Sequence, residues 1–227
     1  MIFEQQKAFL EARIKSVSGL IGRFSLQSLK DNLIRVAELS SEEELEAYQA
    51  AFQSLSGNHV DLDYLRCSSV YGVFRGDIME GGFVLKIGPE LRYANMFLGR
   101  EEKLDIIPAS LDDVIEITCV FMTSRSPAVH LFGALKMADL VARSGCSQVM
   151  AGTRIEGVSK AHAKLFGNAF YQGPVVTAKG EQYWWFYHGE VEYFRRMIRR
   201  KVVDKLMNPP KKAPSRPGIA TQRPQVS

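Results

Sequence analysis

The chain has 227 residues, of which 46% are hydrophobic, which suits one compact domain with appendages or two small domains. Its three cysteines have neither CxxC nor Cys/His spacing, so the sequence predicts reduced thiols and no metal site. The net charge is +7 from residue 189 onward and −3 before it, so the body does not resemble a nucleic-acid-binding surface and we expect no nucleic-acid partner. The first ten residues lack a signal-peptide core and no run is long enough to span a membrane, so we expect a cytoplasmic protein.

Residues 1–32 form a predicted N-terminal helical extension with one apolar stripe, which packs on its own domain or on a second subunit. A homodimer is therefore left open, and a membrane-surface helix is the less favoured alternative because the polar face is mixed. Residues 33–188 form the main predicted domain. Its patterns predict strands over 33–39, 70–75, 81–87, 112–123, 147–153, 169–176 and 182–188, and helices over 40–56, 61–67, 129–143 and 157–166.

Three further segments have distinct compositions. Residues 90–110 form a long irregular connection, which is typical of a lid or a binding loop. Residues 189–207 are a predicted basic helix, which is either a solvated face, a docking surface for an acidic carrier protein, or a peripheral contact with anionic lipid. Residues 208–227 are rich in Pro, Lys, Ser and Gln and form a predicted disordered tail.

The order of these elements resembles that of the GNAT superfamily of N-acetyltransferases. Four segments resemble acyl-homoserine-lactone synthases and long-chain N-acyl amino acid synthases: Asp61-Leu62-Asp63, Gly81 to Lys86, Ile115 to Phe121, and Phe166-Gly167 with Gln172-Gly173-Pro174. The resemblance implies an α/β (α+β) fold, with a mixed sheet of about seven strands flanked by helices and extra helices at both ends. It also implies N-acyltransfer from an acyl-CoA or acyl-carrier-protein thioester to an amine, with an amino acid-like acceptor as one option and no permanently bound cofactor.

The predicted donor turn departs from the family pattern Q/R-x-x-G-x-G/A, whose backbone N–H groups grip the pyrophosphate of coenzyme A. Arg125 matches the first position, but Ala128 and His130 replace the glycines and Pro127 removes one donor. A carrier-delivered acyl-phosphopantetheine needs less pyrophosphate contact and would tolerate this change. The predicted donor-binding residues are Phe121, Met122, Thr123, Arg125, Ser126, Ala128, Val129 and His130. The resemblance also implies a general-acid tyrosine, but Ala163 stands there with His162 beside it.

Glu116 is the predicted catalytic base or acceptor-orienting group, because a carboxylate on an otherwise apolar strand is either paired or has a raised pKa. A structural salt bridge is the alternative. His130 could donate to a phosphate or to the thioester oxygen, or it could be a neutral histidine at a helix start. We expect His162 on a helix surface, His59 and His188 in loops, and Cys119 in the core, where the family has arginine.

Lys86 and Arg92 are the predicted partners of an acceptor carboxylate, and Phe83 and Phe170 are predicted substrate-binding residues. If long acyl chains are preferred, the predicted tunnel lies among Phe83, Leu85, Val120, Met122 and Phe170. The main alternative function is a catalytically inactive GNAT-fold scaffold or adaptor that binds a protein partner or an acyl carrier. A membrane or nucleic-acid binder acting through the tail is a third interpretation.

Overall fold

The computed structural model describes residues 33–88, 90–95, 110–177 and 180–207. The predicted N-terminal helical extension, most of the irregular connection and the predicted tail lie outside these residues. Seven strands are described: β1 (Ile34–Leu39), β2 (Ser69–Arg75), β3 (Ile78–Ile87), β4 (Val114–Met122), β5 (Gln148–Thr153), β6 (Asn168–Thr177) and β7 (Gly180–Glu190). The described helices are α1 (Glu42–Ser56), α2 (Leu62–Arg66), α3 (Arg92–Asn95), α4 (Pro127–Arg143), α5 (Glu156–Phe166) and α6 (Val191–Met207).

The seven strands form one mixed sheet in the order β1-β2-β3-β4-β5-β7-β6, which confirms the predicted fold class. β4 and β5 pair in parallel across the α4 crossover, and the other neighbouring strands pair antiparallel. Local sequence signals account for two of the helix starts. Ser41 and Glu44 form a capping box at the start of α1, and Pro127 occupies the first turn of α4, where its missing N–H costs nothing.

Two predicted boundaries are wrong. The β2–β3 hairpin turns over Gly76 and Asp77 alone, because β3 begins at Ile78, whereas the sequence predicts a turn over 76–80. His188 lies within β7 and not in a loop, since that strand runs on to Glu190 and pairs with both β5 and β6.

The sheet is covered on both faces. Helices α4, α5 and α6 pack on one face, against buried residues that include Phe83, Ile115 and Ile117. Helices α1, α2 and α3 lie on the other face, with Val84 and Phe121 among the residues buried there. The aromatic run in β7 is divided in the same way: Trp185 and Tyr187 pack on the α4–α6 face, and Trp184 and Phe186 on the α1–α3 face. The aromatic strand β7 is thus covered on both sides.

β4 and β5 separate about halfway along β4. Their pairing runs from Val114 with Gln148 to Ile117 with Ala151 and ends there. Immediately beyond, the register of β4 against β3 shifts, and Cys119 has a positive φ of 51°, which is uncommon for a residue with a side chain. This bulge brings the Thr118 hydroxyl and the Cys119 sulfur to 3.6 Å from each other. The parting of the strands and the bulge create a split in the sheet at the end from which α4 begins.

The close approach of α1 to β3 depends on the absence of a side chain at Gly82. A Cβ there would lie 2.6 Å from the Tyr71 carbonyl oxygen and would overlap the ring of Tyr48. We therefore expect Gly82→Ala to lower the free energy of unfolding by roughly 1–3 kcal/mol, measured by chemical denaturation. Gly157→Ala is the matched control, because a Cβ on Gly157 meets nothing within 4 Å in helix α5. Equal stabilities of the two variants would contradict this account of the packing.

None of the described helices combines the length and the apolar character that crossing a membrane requires.

Candidate functional site

Glu116 lies at the centre of β4 and is completely buried. Its Oε1 accepts a hydrogen bond from the Tyr93 backbone N–H at 2.7 Å. Its Oε2 accepts from the Arg92 backbone N–H at 2.8 Å and from the Tyr64 hydroxyl at 3.0 Å. Burial raises the pKa of Glu116 to about 7, against the lowering effect of these donors and of the Arg92 charge. The carboxylate therefore ties α2 and the start of α3 to the middle of the sheet.

The guanidinium group of Arg92 lies over the bulge in β4. Nη1 donates to the Cys119 sulfur at 2.7 Å, Nη2 donates to the His59 carbonyl at 2.8 Å, and the group lies 5.9 Å from the centre of the Phe52 ring. Within the described part of the chain, no carboxylate comes within 4.0 Å of its nitrogens to form an ion pair. A guanidinium in this position has donors to offer to an anionic ligand.

Tyr93 enters the split between β4 and β5. Its hydroxyl donates to the Gly152 carbonyl at 3.1 Å, one residue beyond the last β4–β5 pair, and lies beside the side chain of Thr118. Its ring packs edge-on against Phe186 with the ring centres 5.4 Å apart. A second tyrosine, Tyr48, donates its hydroxyl to the Cys119 carbonyl at 2.7 Å and so holds the bulge from the side of α1.

Lys86, which was predicted to bind an acceptor carboxylate together with Arg92, is the cross-strand neighbour of Glu116 on β3. Lys86 as a whole is only 8% exposed, and its ammonium group donates to the Cys67 carbonyl. It also lies 3.8 Å from the Glu90 carboxylate and 5.9 Å from the Tyr64 ring centre. These contacts engage the Lys86 ammonium group within the protein. Of the two predicted carboxylate-binding residues, Lys86 and Arg92, Arg92 is the one whose charged group lies at the bulge.

The donor turn after β4 is held by the end of the β2–β3 hairpin. The N–H and the hydroxyl of Thr123 both donate to the Glu80 carbonyl, at 2.8 and 3.0 Å, and the Ser126 N–H donates to the Ser124 hydroxyl oxygen at 3.2 Å. His130 Nε2 lies 2.6 Å from the Ser124 carbonyl oxygen, which engages that nitrogen in holding the turn.

Other predicted donor residues differ in exposure. Arg125 and Ala128 are exposed and Val129 is buried in the core. The first N–H groups of α4 have no acceptor within the helix, and Pro127 contributes none, so the Ala128 and Val129 amides are the donors that this turn can present. Phe121 is buried against Tyr48 on the α1–α3 face, and Met122 packs on the α4–α6 face.

The predicted acyl tunnel is wrong, because its residues lie on different faces of the sheet. Phe83, Leu85 and Met122 belong to the core beneath α4 and α6, whereas Phe170 packs with Phe186 on the opposite face. Val120 is 51% exposed because it lies in the bulge. The two predicted substrate-binding aromatics, Phe83 and Phe170, are therefore not brought together.

His162 was predicted on a helix surface, and this prediction is also wrong. Its ring packs edge-on against Phe166 and Tyr187, because α6 covers this side of α5. Burial, together with the nearby charge of Lys201, lowers the pKa of His162 to about 4. His59 lies in a loop as predicted, and Cys119 is buried as predicted.

Two surface clefts of about 450 and about 560 Å³ lie at the other end of the sheet, where β5 and β4 begin. Among the described residues, no group of three or more His, Cys, Asp or Glu side chains is arranged to hold a metal ion. The residues that gather at the split are instead Glu116, Arg92, Tyr93, Tyr64, Thr118 and Cys119.

Solved structures with this architecture are found at low sequence identity. FeeM, an N-acyl amino acid synthase from uncultured soil microbes, matches with a TM-score of 0.54 and 12% identity, over 73% of this chain and 96% of FeeM. BjaI, a CoA-dependent acyl-homoserine lactone synthase solved with SAM and isopentyl-CoA, matches with a TM-score of 0.51 and 12% identity, over 75% and 90% of the two chains. MesI, another CoA-dependent acyl-homoserine lactone synthase, matches with a TM-score of 0.50 and 15% identity, over 74% and 95%.

A scan against protein-family models gives no match, and a search of curated proteins gives none either. The similarity is thus one of fold, and it covers 90% or more of each of these three chains. The chain has a GNAT-like fold, which it shares with these N-acyl amino acid and acyl-homoserine lactone synthases.

Proposed function

We propose that this protein is an N-acyltransferase that moves an acyl group from a thioester to an amine. The observation that carries the proposal is the split between β4 and β5 beyond Ile117 and Ala151, next to the bulge at Cys119. An edge of β4 without a strand partner can hydrogen-bond an extended amide chain in the manner of an added strand, and the pantetheine arm of a thioester donor is such a chain. The acyl-transfer activities in the names of FeeM, BjaI and MesI support this choice for a shared fold.

The donor's phosphate end is assigned to the turn after β4. The exposed Arg125 supplies a cation, and the Ala128 and Val129 amides supply donors at the start of α4, with Ser126 beside them. His130 is assigned a positioning role, because its Nε2 already contacts the Ser124 carbonyl. Phe121 and Met122 form the end of β4 and Thr123 follows them, and the three residues shape this turn through their packing and backbone.

The acceptor is assigned to the region of Arg92, whose guanidinium binds an anionic group such as the carboxylate of an amino acid. The amine lone pair attacks the thioester carbon, and the resulting tetrahedral intermediate loses the thiolate as the C–S bond breaks. The nitrogen gives up a proton and the thiolate takes one, which leaves an amide and a free thiol. Glu116 is assigned to positioning, since both its oxygens are occupied by donors from α2 and α3 and it holds Arg92 by its backbone.

The experiment that tests this function is mass spectrometry of reactions of the purified protein. The donors are acyl-CoA and acyl-carrier-protein thioesters of several chain lengths, and the acceptors are amino acids and the amines that correspond to them without the carboxylate. We expect an acylated acceptor with at least one pair. Absence of product with every donor and acceptor would contradict the proposal.

The second candidate function, a non-catalytic adaptor with this fold, is favoured by the donor turn. Ala128 and His130 stand at positions where the pattern has glycine, and Pro127 removes an amide donor. An adaptor would give no acylated product with any donor, even where the addition of acylated carrier stabilises it against thermal unfolding. Turnover of any thioester would contradict this candidate.

A carrier protein is the donor source that the surface of α6 favours. Arg196, Arg199, Arg200, Lys201 and Lys205 have no carboxylate ion-pair partner within 4.0 Å in the described chain, whereas Arg195 pairs with Glu192. Burial lowers the pKa of Lys201, and the nearby charges of Lys164 on α5 and of Lys205 lower it further. These three cations therefore lie close to one another. Phe194 stacks on Phe166 at the end of α5 and Lys201 reaches Ala161, so α6 runs back toward the sheet end that holds the donor turn.

Reversing the charge of residues on α6 distinguishes an acyl-carrier-protein donor from an acyl-CoA donor. We expect the double variant Arg199→Glu and Arg200→Glu to raise the KM for an acyl-carrier donor by about tenfold or more, because two complementary charges are lost from the docking surface. The KM for the same acyl group on CoA should stay within about twofold. Arg143→Glu, an exposed residue at the far end of α4, is the control. An unchanged carrier KM together with lost sedimentation on anionic phospholipid vesicles would assign this face to membrane contact instead.

A further inference from the structure

The parting of β4 and β5 is bridged by a single hydroxyl group. The Tyr93 hydroxyl donates to the Gly152 carbonyl of β5 at 3.1 Å and lies beside the side chain of Thr118 of β4. These are the first residues beyond the last β4–β5 pair. Any extended thioester that lies between the two strands must pass this hydroxyl.

Two features fix the position of Tyr93. Its backbone N–H is held by the buried Glu116 carboxylate at 2.7 Å. Its ring lies across Gly152, where a Cβ would come within 3.2 Å of Tyr93 Cε1 and 2.8 Å of Phe186 Cδ1. Both Gly152 and the buried Glu116 carboxylate are needed to bring this hydroxyl into the split. Burial of a tyrosine ring alone would not require either of them.

We propose that Tyr93 is a catalytic residue that donates its hydroxyl hydrogen bond to the sulfur of the departing thiolate. This inference rests on the proposed acyltransfer. When the tetrahedral intermediate collapses, the C–S bond breaks and its electron pair moves to sulfur. The Tyr93 hydroxyl then exchanges the Gly152 carbonyl for the charged sulfur, which is the better acceptor. The proton that the amine nitrogen loses passes to solvent, and the thiolate takes a proton from solvent as it leaves.

The environment of Tyr93 suits a donor that keeps its proton. Burial raises the pKa of Tyr93, and the nearby Cys119 and Glu116 raise it further, against hydrogen bonding from Thr118 and the Arg92 charge. Such a hydroxyl stabilises developing charge without ionising. It also explains why the GNAT tyrosine missing at Ala163 is not required here, since a hydroxyl reaches the split from another element.

The test is Tyr93→Phe, which keeps the ring and removes the hydroxyl. We expect kcat with an acyl-pantetheine or acyl-CoA donor to fall by about 100-fold with little change in donor KM. With an aryl thioester of the same acyl group, whose leaving thiol is more acidic and needs less stabilisation, the fall should be less than about tenfold. Tyr183→Phe, an exposed tyrosine of β7, is the matched control and should leave both donors unaffected.

The outcomes separate this inference from the proposed function. Wild-type turnover with no effect of Tyr93→Phe, or with an equal fall for both classes of donor, would overturn the role of Tyr93 and leave the acyltransferase standing. No wild-type turnover with any donor would overturn both. Gly152→Ala provides a second variant that retains the hydroxyl but displaces the ring, and we expect it to repeat the dependence on leaving group. Retained native stability of each variant, measured by thermal unfolding, is the condition for the comparison.

Discussion

Replacing Arg92 with leucine should raise the KM of a carboxylated acceptor by about 100-fold. The guanidinium has no ion-paired carboxylate in the described chain, and removal of one partner from a buried, hydrogen-bonded charge pair costs about 2–5 kcal/mol. Since each 1.4 kcal/mol corresponds to a factor of ten, 100-fold lies at the lower part of this range. The measurement is steady-state kinetics with an amino acid and with the amine that lacks its carboxylate, at one fixed donor concentration.

The paired acceptors distinguish recognition from folding. If Arg92 binds the carboxylate, Arg92→Leu should change the kinetics of the decarboxylated amine by no more than about threefold, so that the preference between the two acceptors collapses. Arg35→Leu is the control for loss of an arginine that stacks on an aromatic ring, because Arg35 lies 4.1 Å from the centre of the Phe74 ring on the edge strand. Equal losses for both acceptors would mean that Arg92 supports only the bulge at Cys119 and the loop carbonyl of His59.

The sequence predicts the sheet better than the site, and the reason is periodicity. β4, α4, β5 and α5 were predictable because each has a regular apolar pattern and each buries a continuous face. Glu116 was also identifiable, since a charge in the middle of an apolar strand must be compensated. Arg92 could be identified as a candidate cation, but its position in the fold could not be predicted. The segment around it has no periodic apolar pattern and is held by hydrogen bonds to a residue 24 positions away.

The tyrosines of the site carried no usable sequence signal. Tyr64 lies in a five-residue helix and Tyr93 in a four-residue one, which are too short for a hydrophobic pattern to set their orientation. The bulge at Cys119 was equally hidden, since a positive φ normally marks glycine or asparagine and here falls on a cysteine. That bulge changes which side chains share a face, and it is one reason why the predicted acyl tunnel failed.

The capping of α3 by Glu116 should also make stability depend on pH in a defined way. The pKa of Glu116 is about 7 in the folded protein and 4.5 for the unperturbed group, so between these values the folded state binds the proton that the unfolded state releases. Stability from this group is therefore fully present below about pH 4.5, falls as the pH rises toward 7, and is constant above it. The difference corresponds to about 3 kcal/mol.

Glu116→Gln should remove this dependence, because the amide does not titrate. The free energy of unfolding of the wild type, minus that of the variant, should decrease by about 3 kcal/mol from pH 4.5 to pH 7.5, measured by urea denaturation at several pH values. Glu46→Gln, at an exposed position of α1, is the matched control and should run parallel to the wild type. A Glu116→Gln curve parallel to the wild type would mean that the carboxylate ionises as readily in the fold as outside it. The three donors from Tyr64, Arg92 and Tyr93 would then outweigh its burial, and Glu116 would hold α3 as a full anion at every working pH.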